Sequence, residues 1–402
     1  MIDLFSEALI LHKRLRGKIN IIPKVEVRNI NDLSLVYSPG VAEPCKEIAR
    51  DPELAYQYTI KGNTVAIVSD GTAVLGLGDI GPLAAMPVME GKAILFKRFA
   101  NINAFPICLD TTDVDEIVQT IRNIAPAFGG INLEDISAPR SFIIEQRLQD
   151  LGIPVFHDDQ HGTAIVVLAG LYNAAKVVGK DVKDLKVVIN GAGAAGIAIA
   201  KMLRCVDHMN QEACIPVKQI TVCDSKGIIH RDRKNLNFAK KELLGFTNFD
   251  NQVGSLKDAL VNADVFIGVS KGDLLKAKDI ETMATDPIIF GLANPTPEIM
   301  PEEAYKGGAA IVATGRSDLP NQVNNVLGFP GIFRGAMEAR APKITTAMKL
   351  AAVHAIAECI KFPTVSEIIP STLNDRVAYK VAEAVKAQAI KDFGEHKYAE
   401  GI

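Results

Sequence analysis

Val187-Val188-Ile189-Asn190-Gly191-Ala192-Gly193-Ala194-Ala195-Gly196 is a β-branched run that breaks into a Gly-x-Gly-x-x-Gly turn. Small residues also crowd ordinary helix starts, so the turn alone is a weak signal. Its surroundings strengthen it: an Ala-rich helix follows, and the next strand ends in Asp224. The glycines permit a tight turn and close approach of a pyrophosphate, which then rests on a helix N-terminus. Asp224 is placed to accept hydrogen bonds from a ribose hydroxyl. It lies beyond the usual spacing of about 20 residues, because residues 207–217 read as a loop insertion. Gly191 to Gly196 and Asp224 are therefore the expected dinucleotide contacts.

Outward from this turn the chain alternates strictly between strand and helix. Strands are expected at 186–190, 219–223, 263–269, 287–292 and 309–313, after a long apolar helix at 163–178. Their continuous apolar runs suit parallel strands covered on both faces, which predicts an α/β, doubly wound sheet. Beyond Gly331 the pattern is helical again, at 345–359 and 375–389. Upstream lie a helix over 4–16 with a basic face and a β-hairpin of 64–69 and 73–77 around Asp70-Gly71. A helix over 87–99 carries Lys92; a strand follows at 105–109, a helix at 113–124 opened by acids, a helix at 141–151 and a strand at 153–156. We expect an N-terminal α/β catalytic domain over 1–160 and a nucleotide domain with helical tail over 161–402.

Two acidic patches, Ile131-Asn132-Leu133-Glu134-Asp135 and His157-Asp158-Asp159-Gln160-His161-Gly162-Thr163, each follow apolar residues. Carboxylates converging at the ends of buried elements repel one another unless a divalent cation neutralises them, and oxygen ligands suit Mg²⁺ or Mn²⁺. Glu134, Asp135 and Asp159 are the expected ligands, with Asp158 behind them. The competing reading makes these acids helix caps. His157 and His161 have no thiols nearby, and the surplus of carboxylates argues against zinc.

The bulk composition narrows the class. Of 402 residues 48% are apolar and 23% charged, with a net charge of −3. That balance gives no electrostatic reason to bind nucleic acid or an anionic membrane. No apolar stretch reaches membrane-spanning length, and the acidic N-terminus does not resemble a signal peptide, so a cytoplasmic protein is expected. The six cysteines form no Cys-x-x-Cys pair and read as small reduced thiols.

Lys92 reads by itself as either a functional amine or a snorkelling lysine paired to Glu90, and Tyr37 as a packed loop aromatic. The motifs around them change that. Tyr37-Ser38-Pro39-Gly40-Val41-Ala42, Leu75-Gly76-Leu77-Gly78-Asp79, Glu90-Gly91-Lys92 and both acidic patches resemble the malic enzymes. So do Ala293-Asn294-Pro295-Thr296-Pro297-Glu298, Gly315-Arg316-Ser317-Asp318 and Gln322-Val323-Asn324-Asn325. The resemblance runs in order from about residue 10 to about residue 380, and the length is that of the short bacterial-type members. It implies Tyr37 as general acid, Lys92 as general base, Glu134, Asp135 and Asp159 as metal ligands, and Asn294 and Asn325 as substrate-contacting amides, Asn294 also beside the cofactor. Larger members carry a substrate-binding arginine before the Leu-Gly-Leu-Gly-Asp motif; Asp70-Gly71-Thr72-Ala73-Val74 has none.

The implied reaction is oxidation of (S)-malate by NAD(P) to oxaloacetate and decarboxylation to enolpyruvate, which is protonated to pyruvate. Lys92, neutral in a buried site, would take the hydroxyl proton. Two rivals remain at this point: a metal-independent 2-hydroxy acid dehydrogenase, which leaves the acidic patches unexplained, and a non-catalytic nucleotide-binding regulatory protein. Asp224 favours NAD, while Lys226, Arg231, Arg233 and Lys234 just beyond it leave NADP open. The N-terminal helix, close to Tyr37, is a candidate contact of a homodimer.

Overall fold

The computed structural model describes residues 4–74, 76–206 and 214–396. Leu75 of the Leu-Gly-Leu-Gly-Asp motif, and residues 207–213 of the expected insertion, lie outside the described residues. The chain opens with α1 (Leu4–Leu15), α2 (Ile30–Val36), α3 (Ala42–Arg50) and α4 (Ala55–Tyr58), none of which buries a residue. Then β1 (Thr64–Ser69), α5 (Gly81–Ala100), β2 (Asn103–Cys108), α6 (Val114–Ile124), β3 (Gly130–Leu133), α7 (Arg140–Arg147) and β4 (Val155–His157) build a four-stranded sheet. Its order is β2-β1-β3-β4, all parallel.

The hairpin expected around Asp70-Gly71 does not form. Both edges of β1 are taken by parallel neighbours, β2 and β3, so the following chain cannot fold back on it. Instead Asp70 closes a turn by accepting from the Thr72 hydroxyl at 2.6 Å, and Ala73 N–H donates to the Asp135 carbonyl at 2.9 Å.

α8 (Asp158–Val177) crosses to the second sheet, and it starts five residues earlier than the apolar pattern indicated. There follow β5 (Lys186–Asn190), α9 (Ala194–Leu203), β6 (Gln219–Asp224), β7 (Gly227–Ile228), α10 (Phe238–Leu243), α11 (Leu256–Leu260) and β8 (Val265–Gly268). The domain continues with α12 (Ala277–Ile280), β9 (Ile288–Gly291), α13 (Pro301–Lys306) and β10 (Ile311–Thr314). Strand order β10-β9-β8-β5-β6-β7 is that of a doubly wound sheet, with the reversal of winding beside β5. The sheet is mixed, because the two-residue β7 turns back antiparallel on β6. The four long central strands are apolar on both faces as the sequence predicted, since helices cover each side.

The closing helices α14 (Phe329–Glu338), α15 (Thr346–Ala357) and α16 (Asp375–Phe393) return to the first domain. Phe329 and Phe333 pack edge-on against Phe96 of α5, at 4.7 and 5.3 Å, and Phe333 also meets Phe156 of β4. One apolar cluster therefore runs from α5 through α8 into the second sheet, fixing the two sheets around α8.

One expectation about the cysteines is overturned. Cys205 and Cys214 form a disulfide across nine residues. The sequence hides the pair because their spacing matches no metal or redox motif; the ends of the loop meet only once α9 and the strand after it are packed. Cys45, Cys108, Cys223 and Cys359 are free thiols.

Candidate active site

Glu134 and Asp135 follow β3 directly. Regular strand alternation would point them to opposite faces, but Asp135 takes φ +54°, a left-handed conformation that Asp tolerates and that turns the chain. Its N–H donates to Asp159 Oδ2 at 2.8 Å, tying the β3 loop to the first turn of α8. Glu134, Asp135 and Asp159 each then offer an oxygen within 4.8 Å of the others. The three acids singled out as ligands thus converge. Capping does not explain them: α7 starts at Pro139 without a side-chain cap, and Asp158 and Asp159 lie inside α8 rather than ahead of it.

Lys92, in the middle of α5, enters the same corner. Its ammonium lies 2.9 Å from Glu134 Oε1, 2.5 Å from Asp158 Oδ2 and 4.1 Å from the centre of the Phe329 ring. Lys92 is 8% exposed and Asp158 fully buried. This is not a surface lysine paired with Glu90; Glu90 instead accepts from the Lys18 backbone. Asn325 Nδ2 also donates to Asp158 Oδ2, at 3.1 Å, and Asn325 Oδ1 accepts from the Thr163 hydroxyl.

The charges do not balance. Burial pushes Glu134 well above the usual carboxylate range; Lys92 pulls it down, but Asp159, Asp158 and Asp135 push it up again. For Lys92 burial acts to lower the pKa, and Asp158 and Glu134 outweigh it, so the amine is held in its charged form. That corrects the expectation of a lysine made neutral by burial. Four carboxylates around one ammonium form a corner short of positive charge. An all-oxygen donor set with that shortfall fits a hard divalent cation.

Asn294 and Tyr37 are placed differently. Asn294, past the end of β9, is exposed between two loops: a Cβ on Gly76 would collide with its carbonyl oxygen, and one on Gly315 would come within 2.8 Å of its Nδ2. Tyr37 caps the C-terminus of α2 and is 68% exposed. No contact described for Lys92, Glu134, Asp158 or Asp159 reaches Tyr37.

The glycine turn lies between β5 and α9, with Gly193 as N-cap. Gly191 has φ +123° and a Cβ there would press on the Val269 carbonyl at 2.6 Å; a Cβ on Gly196 would strike the Gly191 carbonyl. Around Gly193 the Cβ position is open. Gly191, Ala192, Gly193 and Asp224 line a cavity of about 760 Å³, while Ala194 and Ala195 form the first turn of α9 behind it. Asp224 is fully engaged. Burial would raise its pKa, but Arg233 (2.9 Å to each oxygen), Lys240 (2.7 Å) and the Lys226 backbone hold it near about 2.

Sequence reasoning missed two residues, Lys240 and Arg140, and gave a third, Asp158, less weight than its contacts carry. Lys240 lies sixteen residues past Asp224, beyond the basic cluster that drew attention. Asp158 was assigned a supporting role, yet it makes the shortest contact to Lys92. Arg140 donates to Asp70, Thr72, Ser137 and the Thr112 carbonyl, bracing the turn beside Asp135; only a charge pair seventy residues apart could have announced it.

Comparison with known proteins bears on the whole arrangement. Residues 16–149 match the family model for the malic enzyme N-terminal domain, and residues 160–390 match that for the malic enzyme NAD binding domain. A bifunctional malic/malolactic enzyme of Bacillus subtilis is 58% identical over 393 residues, covering 97% of this chain and 94% of the relative. An NADP-dependent malic enzyme of Rhizobium meliloti is 52% identical over 359 residues, 89% of this chain and 46% of that longer protein. The crystal structure of an NAD-dependent malic enzyme from Thermotoga maritima superposes with a TM-score of 0.90 at 50% identity, covering 96% of this chain and 99% of that one. With both domain models matched in order across nearly its full length, the chain belongs to the malic enzyme family.

Proposed function

We propose that this malic enzyme oxidises (S)-malate with NAD(P) and decarboxylates the product to pyruvate in the corner where Lys92 meets Glu134, Asp135, Asp158 and Asp159. The observation that carries this reading is the convergence of Glu134, Asp135 and Asp159 on one another beside a buried lysine that contacts Glu134 and Asp158. Glu134, Asp135 and Asp159 would hold Mg²⁺ or Mn²⁺, whose Lewis acidity would lower the substrate hydroxyl pKa, stabilise negative charge during loss of CO₂ and neutralise the Glu134 anion.

Lys92 is the base. Asp158 and Glu134 hold Lys92 in its charged form, so the ammonium first gives up a proton to solvent, a loss made easier where a cation held by Glu134 would leave Asp158 as the one anion favouring the charge. The neutral amine then takes the substrate hydroxyl proton, while Asp158 fixes it at 2.5 Å and Asn325 fixes Asp158 from the other side. Asn325 and Asn294 orient the substrate, Asn294 from the cleft rim beside the cofactor. Phe329 lies against the Lys92 ammonium and packs with Phe333 on Phe96, and an apolar wall of this kind lowers the local dielectric and strengthens these interactions.

Tyr37 is the acid that protonates C3 of enolpyruvate, and it reaches the site from a second copy of the chain. The N-terminal arm supports this. Leu4, Leu9, Ile21 and Leu35 are 75 to 81% exposed, an apolar display far beyond what a solvated surface carries. A homodimer that covers the arms would bring Tyr37 of one copy to Lys92 of the other. NAD is the expected cofactor, with Asp224 on the adenosine ribose; Arg233 and Lys240 leave room for NADP. One assay tests the core reading: NAD(P)H should form from malate only with Mn²⁺ or Mg²⁺ present, with pyruvate and CO₂ as products. Metal-independent formation of oxaloacetate alone would overturn it.

A further inference from the structure

Glu298 is fully buried at the C-terminal ends of β8 and β9, and the proposed reaction makes no use of it. Its Oε1 accepts from the Ser270 N–H at 2.9 Å, just past β8, and its Oε2 from the Ala293 N–H at 3.0 Å, just past β9. The Glu298 carbonyl accepts from the N–H groups of Leu274 and Leu275. One residue therefore clamps the loop after β8 to the loop after β9. The fold makes room for it: a Cβ on Gly268, the last residue of β8, would collide with the Glu298 carboxyl carbon.

A carboxylate is a costly group to bury. Burial pushes its pKa up, and backbone N–H groups, led by those of Ser270 and Ala293, pull it back. In exchange, hydrogen bonds from backbone N–H groups to a carboxylate are stronger than neutral ones. Two loops from different strands are thus held firmly by one side chain.

The strand order β9-β8-β5-β6 says what those loops serve. Asp224 ends β6, and the glycine turn follows β5. A dinucleotide with its adenosine ribose on Asp224 and its pyrophosphate on the N-terminus of α9 runs from β6 across β5. Its nicotinamide half then comes to lie over the ends of β8 and β9. Ser270 lines the dinucleotide cavity, and its hydroxyl accepts from Asn190, the residue before Gly191, at 2.7 Å. Ala293 immediately precedes Asn294. We propose that Glu298 is a positioning residue for the nicotinamide: it sets the loops after β8 and β9 on which the ring rests for hydride transfer. This rests on the reading that Asp224 takes the adenosine ribose. The rival role is a brace for the whole domain, which would affect every part of the cofactor alike.

The test uses the full-length enzyme with NADH and with ADP-ribose, which lacks the nicotinamide, together with the 2′-phosphorylated form of each. Dissociation constants are read by calorimetry, and kcat and KM for malate are measured with Mn²⁺. Glu298→Gln keeps the side-chain volume but turns one oxygen into an NH₂ facing a backbone N–H, so one bond is lost. Gly268→Ala presses on the same carboxyl group from β8. In both variants the reduced dinucleotide should bind about tenfold more weakly, the scale of one lost buried hydrogen bond, while ADP-ribose stays within about twofold. Turnover should fall by about 10²-fold, as for a reacting group misplaced by about 1 Å, with little change in the malate KM. Equal weakening of ADP-ribose and NADH would reduce Glu298 to a general brace and overturn the proposal. So would a Glu298→Gln enzyme with wild-type affinities and turnover, and that variant decides alone if Gly268→Ala does not fold. The binding measurements need neither metal nor malate, so a failure of the malate reading leaves them standing. An ADP-ribose affinity unchanged by Asp224→Ala would remove the cofactor orientation and overturn the proposal from that side.

Discussion

Asp224 and Glu134 are both carboxylates at the C-terminal end of a parallel strand, in opposite company. Asp224 is flanked by Arg233, Lys240 and a backbone N–H, which drive it down to about 2. Glu134 shares one ammonium with three other acids and is driven well up. The same functional group therefore serves two purposes, decided by its neighbours: one corner demands a cation, and the other has cations to offer an anion. Each prediction below tries to break that contrast.

The largest effect belongs to Asp159. Asp159→Ala should abolish turnover and strongly weaken Mn²⁺ binding while dinucleotide binding, measured by NAD(P)H fluorescence, stays nearly intact. Asp158→Ala should also be severely impaired, since it removes the closest partner of Lys92, yet it should still bind Mn²⁺. If both variants lost the metal equally, the division between ligand and lysine partner would fail.

Next in size are the proton-transfer groups. Lys92→Ala should lose malate oxidation by about 10²–10⁴, the range of general acid–base catalysis, with partial rescue by a small added amine. Tyr37→Phe should lose overall turnover but still release CO₂ from supplied oxaloacetate, because solvent protonates the enolpyruvate. Mixing the two inactive variants tests where Tyr37 acts. If it crosses the dimer, random exchange makes half the dimers mixed, each with one intact site, and restores about a quarter of wild-type activity. If Tyr37 and Lys92 act in one chain, the mixed dimer has no intact site.

How much of this was legible beforehand depended on how local the signal was. The glycine turn, Asp224 and the acid trio are written in short motifs at element ends, and each stands where the sequence placed it. The doubly wound sheet was legible for the same reason, as five apolar strands at regular spacing. The hairpin at 70–77 was misread because a tight Asp-Gly turn carries the same residues whether the strand before it is an edge or an interior strand. The charge state of Lys92 was misread because burial is visible in an apolar helix, whereas the Asp158 that overrides it lies 66 residues away. Lys240, Arg140 and the Cys205–Cys214 bridge were invisible for that reason too: packing alone makes them neighbours.

A pH experiment probes the crowded corner directly. Glu134 binds its proton more tightly folded than unfolded, so without metal the native state is favoured below about pH 4.5, the ordinary glutamate value, and loses that contribution as pH rises through the folded pKa. Mn²⁺ should displace the proton. The thermal stabilisation given by Mn²⁺ should therefore grow as pH rises through this window, and calorimetry should record proton release on binding at its acidic end. A gain that is flat with pH, without proton release, would mean that Glu134 is already ionised in the bare site.

The smallest effect concerns cofactor choice, and it tests the other half of the contrast. Lys240 and Arg233 both bind Asp224, so the carboxylate is masked and the corner carries one net positive charge. An adenosine 2′-phosphate brought there meets repulsion from Asp224 and charge-assisted hydrogen bonds from the two cations. Lys240→Ala removes one cation and leaves Asp224 paired to Arg233 alone. The kcat/KM for NADP should fall by about tenfold, roughly 1.4 kcal/mol, while that for NAD stays within about twofold of its starting value, the ribose hydroxyls needing only Asp224. Asp224→Asn should act in the opposite sense, releasing both cations and raising NADP use relative to NAD. Measured at saturating malate, the ratio of the two kcat/KM values then moves down in one variant and up in the other. A ratio unchanged in both would show that this ion cluster only braces the turn after β6, and that cofactor choice is made elsewhere along the 760 Å³ cavity.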